Sequence, residues 1–127
     1  MVSVEDINRD AKKLQEEVWG NMDLYEENYS KAIEILKRAL KVEPDSITTL
    51  TNLGAALCDF GRHKLAIPYL EKAISLGSQD RHTYLNMGVA CMNCQDYRSK
   101  SAQYFDEAKG LESSEITWEA YFDPHGH

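Results

Sequence analysis

Cys91 and Cys94, in the run Cys91-Met92-Asn93-Cys94, are the residues with the clearest chemical potential. A C-x-x-C pair exchanges thiols when its first cysteine sits at a helix N-terminus, where the dipole lowers the thiol pKa; alternatively it supplies half of a zinc site. Here the pair falls late on a predicted helix with no strand before it, and Cys58 is the only other thiol. Neither chemistry is complete, so the cysteines read as core positions. His125 and His127 could hold a metal weakly, but Asp123-Pro124-His125-Gly126-His127 reads as a flexible tail. The acids Glu16-Glu17 and Glu26-Glu27 are adjacent, so on a helix they splay apart instead of facing one substrate. No nucleophile elbow, phosphate loop or dinucleotide fingerprint occurs. The expectation is a protein without catalytic, cofactor or metal sites, and so not an enzyme.

The elements that would carry these residues belong to one domain of 127 residues, 43% hydrophobic and 28% charged, which is ordinary for a globular chain. A net charge of −7 opposes nucleic acid and anionic membranes as partners. Lys12-Lys13 and Lys37-Arg38 are interrupted by acids and read as solvated helix faces. Nothing approaches the ~20 apolar residues of a membrane span. Three cysteines cannot all pair within one chain, and Met1-Val2-Ser3-Val4-Glu5-Asp6 is acidic where a signal peptide is basic. A cytoplasmic location is expected.

Self-similarity organises the chain. Leu53-Gly54 recurs as Met87-Gly88, 34 residues on; Ala32, Leu36 and Ala39 recur at that interval as Ala66, Leu70 and Ala73; Tyr29, His63 and Tyr97 form a third series. The third copy gains one residue, with Leu70 answered by Phe105 and Ala73 by Ala108. Within each copy the apolar residues fall at spacings of three and four, one face of a helix. Small residues at Gly54, Ala66, Ala73, Gly88 and Ala108 allow close helix approach, while Leu36, Leu70 and Phe105 fill the space between pairs. A lone helix pair cannot bury both faces, so the pairs must stack.

The fullest copy, Tyr29-Ser-Lys-Ala32-Ile-Glu-Ile-Leu36-Lys-Arg-Ala39-Leu-Lys-Val-Glu-Pro44, resembles the tetratricopeptide repeat family. The resemblance implies an all-α fold, a right-handed superhelix of stacked antiparallel helix pairs. Repeats are expected at about 13–46, 47–80 and 81–115, with helices near 4–26, 29–42, 46–60, 62–76, 80–94 and 96–111. Ser3 with Asp6 resembles a capping box, and Ser46 offers an N-cap. Gly61 suits a left-handed helix end, a place held by Asn28 in the first repeat and Gln95 in the third. Pro68 lies near a helix start, where a mild kink is expected. A seventh helix, 114–122, is expected to cover the open end of the stack or, through Trp118, Tyr121 and Phe122, to meet a second copy in a homo-oligomer.

The family also implies protein binding on the inner wall, which the leading helix of each pair lines. Carried over by position, that wall comprises Asn21, Leu24 and Tyr25; then Thr48, Thr51, Asn52, Ala55, Cys58 and Asp59; then His82, Leu85, Asn86, Val89 and Met92. Leu85, Val89 and Met92 form an apolar stripe suited to a peptide with apolar anchors. Some members of the family clamp a chaperone's C-terminal carboxylate with two asparagines and several cations. Asn21 and Asn52 match the asparagines, but Glu17, His82 and Asn86 stand where cations belong, which removes the charge-assisted bonds.

Overall fold

The computed structural model describes residues 2–121. Six α-helices run in order: α1 (Val4–Gly20), α2 (Tyr25–Val42), α3 (Ile47–Asp59), α4 (His63–Ser75), α5 (Arg81–Met92) and α6 (Ser101–Ala108). They form three antiparallel pairs. Leading helices α1, α3 and α5 also approach one another in sequence, whereas among the described residues no two trailing helices come within 8 Å at their Cα atoms. The leading side is therefore the shorter, inner wall of a curved stack.

Local chemistry explains most boundaries. Asp6 N–H donates to Ser3 Oγ at 3.0 Å and Ser3 N–H to Asp6 Oδ2 at 3.4 Å, closing the capping box of α1. Ser46 caps α3 through Thr49 N–H. After α3 the chain turns through Gly61 (φ 79°), and after α4 through Gly77 (φ 90°). Arg62 N–H then reaches Leu57 O, and Ser78 N–H reaches Ala73 O, the six-to-one closure that a left-handed residue permits. Helix α4 runs unbroken through Pro68, whose missing donor falls near the helix start.

The glycine pair of the repeat sits between helices. A Cβ on Gly54 would lie 2.5 Å from Leu70 Cγ, and one on Gly88 would lie 2.7 Å from Phe105 Cε1. Leu36 and Leu70 are fully buried, each worth roughly 1.5–3 kcal/mol of transfer. Central α3 is buried continuously from Thr49 to Asp59.

Several expectations require correction. The first helix ends at Gly20, six residues early, because Asn21 is extended (φ −156°) and its side chain accepts from Asp23 N–H. A poor helix former followed by a residue that bonds its own backbone ends the helix there. A 3-10 turn, Met22–Leu24, then leads directly into α2. Asn28 therefore lies inside α2, buried, and donates to Leu14 O. The third pair lacks a glycine at Gln95. Its route is the 3-10 stretch Gln95–Lys100, which absorbs the extra residue and shortens α6 to Ser101–Ala108.

The expected seventh helix is absent between 114 and 121, where the chain is irregular and bends at residues 115–116. Serine and threonine side chains compete with helical bonding here. Ser114 Oγ accepts from Ile116 N–H, Thr117 donates to Asp80, and the Trp118 carbonyl and Ala120 N–H are both taken by Asn86. A helix would withdraw those groups. Trp118, expected on a face that could meet a second copy, is 3% exposed within its own chain. Phe122 and the stretch 123–127 lie outside the described residues.

Candidate binding groove

This irregular segment, hereafter the strap (112–121), returns across the inner wall. Arg81 N–H donates to Glu112 O, and Ser114 N–H to Asp80 Oδ1, fastening one end at the start of α5. Lys12 of α1 then donates to the Glu115 carbonyl, and Asn52 Nδ2 donates to Ile116 O at 3.2 Å. Asn86 grips the backbone with both ends of its amide. Its Nδ2 donates to Trp118 O at 3.0 Å, and its Oδ1 accepts from Ala120 N–H at 2.8 Å. These contacts read main-chain groups that any non-helical segment carries.

Two further contacts read side chains. The Trp118 indole N–H donates to Asp59 Oδ2 at 3.1 Å, while Asp59 Oδ1 accepts from Tyr121 N–H at 2.7 Å. Asp59 is wholly buried and also takes the Tyr29 hydroxyl at 2.9 Å. Burial first, and the Asp59 charge second, push the Tyr29 phenol far above its ordinary range, which keeps it a donor. Thr117 donates to Asp80 Oδ2 at 2.6 Å, so the His82 imidazole at 2.8 Å donates from Nδ1 to the threonine oxygen. Burial lowers the His82 pKa below 6.5; Asp80 and Glu119 oppose that shift, and Lys12 and Arg81 add to it. Tyr121 packs edge-on to Trp19, ring centroids 5.3 Å apart.

Burying one indole contributes about 4 kcal/mol, and each hydrogen bond adds about 1 kcal/mol. Ordering each residue of the strap costs about 1–2 kcal/mol. The opposing contributions are of the same order.

Of the expected groove residues, Asn52, Asp59, His82 and Asn86 are brought together against the strap. Thr51, Ala55 and Cys58, buried like Asn52, Asp59 and Asn86, make no hydrogen bond to the strap among the described residues. Thr51 Oγ1 meets Thr83 Oγ1 at 2.6 Å and Cys58 lies against Asn86 O, so these residues join α3 to α5. Leu85, Val89 and Met92 are their equivalents on α5, after which no further leading helix follows among the described residues. Leu85 and Val89 are half-buried and Met92 is 39% exposed. Thr48 borders a shallow cleft with Asn8 and Ile116. Asn21 is an exposed cap, Leu24 packs beside the core, and the Tyr25 hydroxyl donates to Asp59 O at 2.5 Å. None of these three stands on the inner face of α1, because that helix ends before them.

Asn8, Lys12, Asp80 and the strap's own Thr117 and Trp118 were not expected in the groove. Asn8 Nδ2 donates to Thr49 Oγ1, and Asn8 Oδ1 accepts from Asn52 Nδ2. Its signal was present: the buried positions of α1 are Val4, Asn8, Ala11, Gln15 and Val18, with two polar residues inside the apolar spacing. The thiols are not poised for exchange. Burial is the first cause raising the pKa of Cys58, Cys91 and Cys94. Among the described residues no cluster of three metal-ligating side chains forms, and no helix is long and apolar enough to cross a membrane.

Comparison with known proteins agrees with this architecture. The tetratricopeptide repeat family model matches residues 19–79. The chain is 29% identical over 82% of its length to the heat-shock protein cognate co-chaperone sgt12 of Aspergillus fumigatus, and covers 29% of that protein. It is 28% identical over 80% of its length to small glutamine-rich tetratricopeptide repeat-containing protein 2 of Mycosarcoma maydis, covering 28% of it. With the peroxisomal targeting signal receptor of Candida albicans it shares 32% identity over 57% of its length, covering 12%. The chain thus spans less than a third of the length of these relatives. The matched repeats and the stacked helix pairs together mark residues 19–79 as a tetratricopeptide repeat region.

Proposed function

We propose that the protein is an interaction module, an adaptor or chaperone-like unit that holds a non-helical segment of another protein in its inner groove. One observation carries this reading: the inner wall presents Asn52, Asn86 and Asp59 to a non-helical stretch of chain, largely through main-chain bonds. Such groups hold a peptide without converting it. The relatives named co-chaperone and targeting signal receptor accord with an adaptor role. Capture of a chaperone's terminal carboxylate is not favoured. Asn21 is an exposed cap, Asn52 is engaged with Asn8, and no cation replaces Glu17, His82 or Asn86. The exposed Met92 would extend the groove as an apolar anchor point.

Photo-cross-linking in native extract tests the reading, with a benzophenone side chain placed at Thr48, at Met92, or at outer-face Leu65 (55% exposed). Protein adducts from Thr48 and Met92, and none from Leu65, are expected. Adducts confined to Leu65 would move the interaction to the outer helices and end the groove reading.

A further inference from the structure

The strap belongs to no helix pair, and the contacts joining α1, α3 and α5 are made without it. Yet it fills the groove, and Asn86 spends its whole side-chain amide on strap backbone. We propose that the strap is an exchangeable occupant, and that the segment replacing it is a non-helical stretch of a partner protein with a Thr-Trp pair followed by an aromatic residue three places after the tryptophan. This rests on the groove reading above and names its ligand. The chemistry is that of Thr117, Trp118 and Tyr121: a hydroxyl between Asp80 and His82, an indole N–H on buried Asp59, and a ring edge-on to Trp19.

Main-chain recognition by Asn52 and Asn86 sets the register, while the indole donor and threonine hydroxyl set identity. A segment lacking the indole would forgo the hydrogen bond to Asp59 Oδ2 and the burial of its ring, which disfavours it. Fastening of the strap at Glu112 and Ser114 by the start of α5 lets residues 115–121 leave while their anchor stays. The tethered strap is at high effective concentration, so it excludes weak ligands and yields to a matching one.

The test uses the full chain and a fluorescent peptide, Glu112–Tyr121, followed by anisotropy. Trp118→Ala should weaken the chain's own strap and raise affinity for the added peptide at least ten-fold over the unmodified chain. A peptide carrying Trp118→Ala or Thr117→Val should bind at least ten-fold more weakly than the unaltered peptide. A folded Trp118→Ala chain that takes up peptide no better than the unmodified one overturns the proposal. If that variant fails to fold, amide exchange in the unmodified chain decides. Amides of Ala120 and Tyr121 exchanging well before those of α3 support exchange, and exchange only with global unfolding overturns it. Concentration-dependent dimers without peptide uptake would assign the site to a second copy and likewise overturn it. Peptide uptake with cross-links confined to the outer face would remove the proposed function yet leave the exchange standing.

Discussion

Each leading helix has two working faces, held by different physics. Toward the trailing helix, Gly54 and Gly88 bring Leu70 and Phe105 within contact of the backbone, a dry, close-packed seam. Toward the groove, α3 and α5 present Asn52, Asp59 and Asn86, whose bonds to the strap are polar and specific in direction. The seam depends on volume and tolerates no added atom. The groove face depends on pairing, and its groups can exchange one partner for another.

The largest expected effect lies in the seam. Gly54→Val should destabilise the fold by about 3 kcal/mol in urea denaturation, since Leu70 is fully buried and cannot yield. At Gly110 nothing lies within 4 Å of an added Cβ, so Gly110→Ala should stay within about 0.5 kcal/mol of the parent. Equal losses at both positions would remove the distinction between seam and surface.

Next comes the buried carboxylate. Asp59→Asn replaces an acceptor with an amide donor facing either the Tyr121 N–H or the Trp118 indole N–H. It should cost about 2 kcal/mol and red-shift tryptophan fluorescence as the indole becomes hydrated. A smaller loss, about 1 kcal/mol, is expected for Asn86→Ala. In a double-mutant cycle with Trp118→Ala, the Asn86 effect should largely vanish, because its side-chain bonds go to the strap. The Asn52→Ala effect should partly persist, because Asn52 also holds Asn8 across the α1–α3 contact. Identical coupling for both asparagines would contradict that division.

The smallest effect is a pH dependence. The folded His82 pKa lies below 6.5, chiefly through burial, so the unfolded chain takes up the proton first as pH falls. The stability contributed by the neutral ring is complete above pH 6.5 and is lost as pH drops from there through the folded pKa. Thermal unfolding at pH 7.5 and 5.5 should show a larger decrease for the unmodified chain than for His82→Asn. An equal decrease would locate the dependence elsewhere.

The seam was legible in the residue order. Helical spacing, the glycine pairs and the 34-residue period all express packing demands that recur whenever one helix pair stacks on another. Boundaries were legible where a side chain or glycine bonds locally, as at Ser3, Ser46 and Gly61. They were missed where two signals competed: Asn21 ended α1 before Asn28 could, and Gln95 without a left-handed residue led into a 3-10 stretch. Against the strap, Asn52, Asp59, His82 and Asn86 of α3 and α5 followed from the period, whereas Thr51 and Cys58 join the two helices instead. Asn21, Leu24 and Tyr25 did not follow from the period, because α1 departs from it. The strap was misread as a helix because Ile116, Trp118 and Tyr121 carry enough apolar weight for either conformation.

The linear order of residues was enough for repetition, helix content and close-packed seams, because these depend on neighbours three, four or 34 positions away. The fate of residues 112–121 depended on groups far off in the chain: Lys12, Asn52, Asp59, Asp80 and Asn86 meet only after the helices have stacked. A non-helical segment of this kind has few bonds of its own, here those around Ser114. Its conformation is therefore set by the donors and acceptors the assembled wall offers it, and no local pattern encodes them.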